Sequence, residues 1–166
     1  MSSSIDERKI ISANIPYKKL VILRKKYPDI VKQIVSLINE HHMISNYKFS
    51  NILKEHLTYP DNVKYDANLF ILLYSLIVIG IARVERNVNG TIYISSVHIS
   101  HSYRGLGLCH KIMNSIISHY PTNTTFILTV VRDNEPAIKC YKKIGFRTIN
   151  SKRGRKIINT MELTSK

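Results

Sequence analysis

One stretch constrains this chain more than any other: Val97-His98-Ile99-Ser100-His101-Ser102-Tyr103-Arg104-Gly105-Leu106-Gly107-Leu108-Cys109. An apolar, strand-like run passes through a short loop with two glycines directly into an amphipathic helix. In that helix Leu108, Ile112 and Ile116 recur every four residues, flanked by Cys109, Met113 and Ile117, while His110, Lys111, Asn114 and Ser118 face away. A helix start leaves N–H groups without intrahelical acceptors and places the positive end of the helix dipole behind them, which makes an anion site. Gly105 and Gly107 allow the backbone to approach a ligand with no Cβ in the way, and Arg104 adds a cation suited to phosphate. The segment Arg104–Cys109 is thus expected to form a phosphate or pyrophosphate cradle. The plain alternative is a tight strand-to-helix turn that needs glycine for its own geometry. Other phosphate motifs fit poorly. A P-loop requires Gly-Lys-Ser/Thr, and the dinucleotide fingerprint requires a third glycine or alanine where His110 stands.

The rest of the chain alternates strand and helix signals. Lys19–Arg24 reads as a short β-prone run, and Pro28-Asp29 opens a helix with Ile30, Ile34, Leu37 and Ile38 on one face. A weaker helix is expected over Phe49–Leu57. Leu69–Tyr74 and Ile77–Val84 suggest a hairpin through Ser75-Leu76, Asn87-Val88-Asn89-Gly90 is a turn, and Thr91–Ser100 and Phe126–Val131 are strands. Asp133-Asn134 offers an N-cap, Pro136 suits a first helical turn, and Gly145 supplies a stop; Phe146–Ile149 and Lys156–Leu163 read as closing strands. Strands flanked by three or four helices make a mixed α/β (α+β) domain.

With 166 residues, 44% hydrophobic and 22% charged, the chain is expected to be one soluble domain over residues 1–166. No apolar run approaches the roughly 20 residues of a membrane helix; Asn68–Ile81 is interrupted by Ser75 and Gly80. The N-terminus has no secretory pattern, so a cytoplasmic protein without membrane attachment is expected. Cys109 and Cys140 show no metal-ligand spacing and read as reduced, partly buried thiols, with no metal site. The net charge of +14 favours anionic partners, and Lys152, Arg153, Arg155 and Lys156 cluster. Nucleic acid is a possible partner that the scattered distribution of the other basic residues does not favour.

Arg104-Gly105-Leu106-Gly107-Leu108-Cys109 resembles the acetyl-CoA signature of the GNAT N-acetyltransferases, Arg/Gln-x-x-Gly-x-Gly/Ala, with Cys109 in place of the last small residue. Asn134-Glu135-Pro136-Ala137-Ile138-Lys139-Cys140-Tyr141-Lys142-Lys143-Ile144-Gly145-Phe146 is similar to the family's Asn-x-x-Ala-x-x-x-Tyr-x-x-x-Gly-Phe pattern, one strand later. The resemblance covers about residues 68–149. It implies a mostly antiparallel sheet of six or seven strands with about four helices, and acetyl-CoA as co-substrate. On the matching positions, Val97, His98 and Ile99 would pair their backbone with the pantetheine arm. Backbone amides of Gly105, Leu106, Gly107, Leu108 and Cys109, with Arg104, would hold the pyrophosphate. Asn134 serves either the arm or the helix cap.

The resemblance also implies that Tyr141 is the general acid: a phenol of ordinary pKa about 10 stays protonated at neutral pH and can protonate a leaving thiolate. Many family members carry a glutamate on the strand before the signature, whereas this chain has Tyr93, Ser95 and Ser96 there. Tyr93 resembles the strand tyrosine of some protein N-terminal acetyltransferases; Glu85, ordered water, or a merely structural Tyr93 remain alternatives. The expected acceptor is an amine of modest pKa, such as a protein N-terminus. A small-metabolite amine, or a non-catalytic acetyl-CoA sensor or nucleic-acid binder, are the competing readings. Monomer and homodimer both fit.

Overall fold

A computed structural model of the protein describes residues 6, 9–45 and 67–166. The helix expected over Phe49–Leu57 lies outside the described residues. The two apolar runs after residue 66 form the hairpin β2 (Ala67–Tyr74) and β3 (Ile77–Arg86). Ser75 and Leu76 both take positive φ, 47° and 69°, so the two-residue turn has the hand that matches strand twist. Asn87–Gly90 reverses the chain again, with Gly90 N–H donating to the Asn87 carbonyl at 2.9 Å, and leads into β4 (Ile92–Ile99).

At the N-terminal end the structure adds one strand and corrects one expectation. Ile10–Pro16 forms β1, an edge strand paired antiparallel with β2 from Ile10↔Tyr74 to Pro16↔Asn68. Its Ile-Ile-Ser-Ala-Asn-Ile run buries only Ile10 and Ile15, too irregular an alternation to read as a strand in isolation. Lys19–Arg24 is not a strand: Leu20–Lys26 forms helix α1, entered through a 3-10 turn over Tyr17–Lys19. Leu20 is fully buried, with Leu23 packed beside it one turn on, and Arg24, Lys25 and Lys26 occupy the last turn, where cations favour the helix dipole. Tertiary packing at helical spacing here overrides the β-propensity of Val-Ile-Leu.

Helix α2 (Pro28–Ser45) buries Val31, Ile34, Leu37 and Ile38. Then follow α3 (Leu108–Ile117), β5 (Thr125–Val131), α4 (Glu135–Ile144), β6 (Arg147–Lys152) and β7 (Ile158–Thr164). The seven strands of the described residues form one sheet in the order β1-β2-β3-β4-β5-β7-β6, antiparallel except for β4 beside β5. Each sheet face carries its own core. On one face Phe70, Leu72, Val84, Ile94, Phe126 and Leu128 pack against Ile112, Met113 and Ile116 of α3 and Tyr141 of α4. On the other, Leu69, Ile71 and Ile81 pack against Tyr17, Leu20, Ile34 and Ile38. Burying each such side chain contributes about 1.5–3 kcal/mol.

Candidate active site

The parallel pair β4 and β5 is joined over three residue pairs only: Ile92↔Phe126, Tyr93↔Ile127 and Ile94↔Leu128. Beyond Ile94 the strands part. Each keeps its outer neighbour, with His98 opposite Ile81 on β3 and Val131 opposite Ile158 on β7. The inner hydrogen-bonding edges of Ser95–Ile99 and of Thr129–Val131 therefore face a gap. A cavity of about 730 Å³ occupies it, with Val97, His98 and Ile99 along one side and Val131 and Asn134 along the other.

At one end of this cavity lies the glycine turn. Gly105 (φ 80°) and Gly107 (φ 70°) are both left-handed, and Gly107 is the N-cap of α3. Lys111 and His110 N–H groups return to the Gly107 carbonyl, at 3.2 and 3.0 Å. The N–H groups from Gly105 to Cys109 have no backbone acceptor among the described residues. Nothing lies within 4 Å of where a Cβ would stand on either glycine, so both face open space. Arg104 is tied back: its Nε donates to the Ile99 carbonyl at 3.1 Å and its Nη2 lies 4.0 Å from Glu40. Leu106, at the turn's apex, is exposed and is not among the cavity-lining residues.

Cys109 lines the cavity at the start of α3, and its sulfur is bonded to that of Cys140 on α4, across a Cα–Cα distance of 6.5 Å. The expectation of two reduced thiols is corrected accordingly. Residues 31 apart in sequence gave no local sign of the pairing; it arises because α3 and α4 lie side by side on one sheet face. The bond thus staples the helix of the glycine turn to the helix that carries the cavity's tyrosine.

That tyrosine is Tyr141, which lines the cavity yet is only 7% exposed. Burial pushes its phenol well above the ordinary value of 10.0, so it is held as a proton donor. Asn134 caps α4, accepting from Ala137 N–H at 3.3 Å, and also lines the cavity. The two alternatives left open for it are compatible in space. Gly145 closes the helix with φ 116°.

The opposite sheet face carries a polar row that sequence reading caught only in part. Ser96 takes φ 50° and shifts the β3–β4 register between Ile81↔His98 and Arg83↔Ser95. This bulge, for which a serine gives no signal, brings Tyr93, Ser95 and His98 to one face while Val97 and Ile99 join Ile92 and Ile94 in the α3/α4 core. Tyr93 bonds Thr129 on β5, hydroxyl to hydroxyl, at 2.9 Å. Glu85 stands directly opposite Tyr93 and is paired with the buried Arg83 rather than solvated, with 21% of its side chain exposed. The Ser95 hydroxyl is buried with no hydrogen-bond partner among the described residues. His98 is buried, its Nε2 3.4 Å from Glu40, which also accepts from His101 N–H at 2.9 Å. Burial lowers the His98 pKa below 6.5; Arg104 adds to the shift and Glu40 opposes it. Thr129, Arg83 and Glu40 belong to this arrangement through strand pairing and helix docking, which no local motif announces.

Among the described residues no three metal-ligating side chains cluster, and no helix is long and apolar enough to cross a membrane. The model of the acetyltransferase (GNAT) family matches residues 36–146, more than half of the chain. A search of the curated proteins by sequence finds no match. Among solved structures, Arabidopsis thaliana NAA60, determined with a bisubstrate analogue, aligns with TM-score 0.65 at 15% identity, covering 93% of this chain and 97% of that one. Escherichia coli ElaA aligns with TM-score 0.67 at 14% identity over 92% and 98%. The ribosomal-protein-S18-alanine N-acetyltransferase of Escherichia coli aligns with TM-score 0.58 at 19% identity over 66% and 76%. At these identities the likeness is one of fold.

Proposed function

Because the chain belongs to the acetyltransferase (GNAT) family, we propose that it is an N-acetyltransferase whose acceptor is the α-amine of a peptide or protein. The observation that carries the reading is a single cavity with open backbone amides at one end and a buried, protonated tyrosine on its wall. The residues present fit acetyl-CoA. The Gly105–Cys109 amides, with the dipole of α3 behind them, suit a diphosphate. The unpaired edges of β4 and β5 offer donors and acceptors to an amide-bearing arm, as a sheet edge does to an added strand. When bound, acetyl-CoA supplies the acyl group as an activated thioester.

In this reading Tyr141 donates its phenolic proton to the departing sulfur, and its raised pKa keeps that proton in place across the physiological range. Tyr93 and Thr129, hydroxyl to hydroxyl, orient the amine and a water that takes up its proton as the new N–C bond forms and the C–S bond breaks. An α-amine, with pKa near 8, needs only such weak assistance; a lysine side chain near 10.4 needs more. No carboxylate stands on β4, which favours the α-amine. Of the structural neighbours, one is a ribosomal-protein-S18-alanine N-acetyltransferase, which fits a protein acceptor, and another was solved with a bisubstrate analogue. The test is release of coenzyme A thiol with acetyl-CoA and a panel of peptides, amino sugars and polyamines. Turnover with free peptide N-termini supports the reading, and turnover confined to lysine side chains or small amines overturns it.

A further inference from the structure

A dense run of unpaired positive charge lies beside this cavity. Lys152 ends β6, Arg153 and Arg155 form the turn around Gly154, and Lys156 leads into β7, so four cations stand within five residues. All four are exposed, and none has an ion-pair partner among the described residues. The turn is not remote from the chemistry: Lys156 lines the cavity that holds Tyr141, and Arg132 N–H binds the Ile157 carbonyl at 2.9 Å, fixing the root of the turn to the end of β5. The one carboxylate on the cavity wall, Asp133, is within ion-pair distance of none of the four. Like charges held this close repel unless an anion joins them.

We propose that the β6–β7 turn selects the acceptor by its charge, and that the acceptor is the N-terminal segment of an acidic peptide, with carboxylates in the residues following its amine. The proposal rests on the reading of the site as a peptide N-acetyltransferase and adds the class of peptide. A peptide whose carboxylates bind at the turn is held at the cavity, where its amine can meet the acyl group. Nucleobase amines are conjugated into their rings and are poor nucleophiles, so a nucleic acid on the turn has nothing to offer Tyr141. A peptide does. Lys156 acts in two ways: it pairs with a carboxylate near the peptide start, and its charge disfavours the ammonium form of the amine, releasing the neutral nucleophile.

The experiment compares kcat/KM for peptides that share one N-terminal residue and carry Glu-Glu, Ser-Ser or Lys-Lys after it, with a phosphorylated amino sugar as a further acceptor. At low ionic strength the acidic peptide is expected to exceed the neutral one by tenfold or more, mostly through KM. The ratio should shrink as salt screens the turn. The R153E/R155E variant should bring that ratio to one or below; because the ratio is internal to each protein, loss of folded material does not mimic the result. Equal turnover of all three peptides overturns the proposal while leaving the enzyme reading intact, as does an acidic preference that survives charge reversal. Preference for the amino sugar over every peptide overturns both, as does the absence of transfer to any peptide. If charge reversal abolishes binding of single-stranded nucleic acid without changing peptide preference, the turn serves that ligand and the proposal falls.

Discussion

The two faces of the sheet are built by different means. On the α3/α4 side the site is mostly main chain: two left-handed glycines, a helix start and the parted edges of β4 and β5. On the α1/α2 side it is mostly side chain: Tyr93 with Thr129, Arg83 with Glu85, His98 with Glu40. Backbone recognition tolerates almost any sequence that keeps the turn geometry, which suits a ligand that never changes. Side-chain recognition is free to vary with the acceptor.

That contrast can be broken most directly at Tyr141, which reaches the cavity from the α4 side. Tyr141→Phe should lower kcat by about 10²–10⁴-fold, the usual contribution of a positioned acid, while titration shows coenzyme A binding little altered. In the unaltered protein, any alkaline fall in kcat caused by loss of the phenolic proton should lie above pH 10, because burial raises that pKa. Next in size is the staple between the helices. Cys140→Ser opens a loop of 31 residues and should cost about 3.5 kcal/mol in urea unfolding under non-reducing conditions; no loss would mean that the thiols are unpaired in solution. Gly107→Ala tests the main-chain side. A side chain at φ 70° is strained by about 1–2 kcal/mol, and the open turn should yield rather than clash. Coenzyme A binding should weaken about tenfold, equivalent to about 1.4 kcal/mol, by calorimetric titration.

The acceptor side should respond in smaller steps. Thr129→Val removes the partner of Tyr93 and should lower kcat several-fold with the KM for acetyl-CoA unchanged, on the scale of about 0.5–1.5 kcal/mol for one hydrogen bond. An equal effect on acetyl-CoA binding would erase the distinction between the faces. The smallest effect concerns His98, whose pKa is lowered in the fold from 6.5. Between that lowered value and 6.5 the unfolded chain holds a proton that the folded protein does not, so stability is full above about pH 7 and falls as pH drops through this window. His98→Gln should flatten that slope in unfolding curves measured from pH 7 to 5.

The same contrast explains what could be read from residues alone. The glycine turn, the Asn134 cap, the Gly145 stop and the β2–β3 hairpin are written in neighbouring residues whose backbone demands are local. They were legible. Strand β1 depends on an edge partner more than fifty residues away, and α1 on a core that its own β-prone letters contradict. The Cys109–Cys140 bond, the Tyr93–Thr129 contact and the Arg83–Glu85 pair across from Tyr93 need the sheet before they exist. Glu40 reaches the signature strand from a helix some sixty residues earlier.

The short junction of β4 and β5 has a spatial consequence. Past Ile94 the ladder between the two strands ends while the α3/α4 core continues beneath both. The opening is bounded by β4 on one side and β5 on the other, so a molecule laid in it meets main chain from both. The charged β6–β7 turn belongs to the β5 side of that opening and Tyr93 to the β4 side.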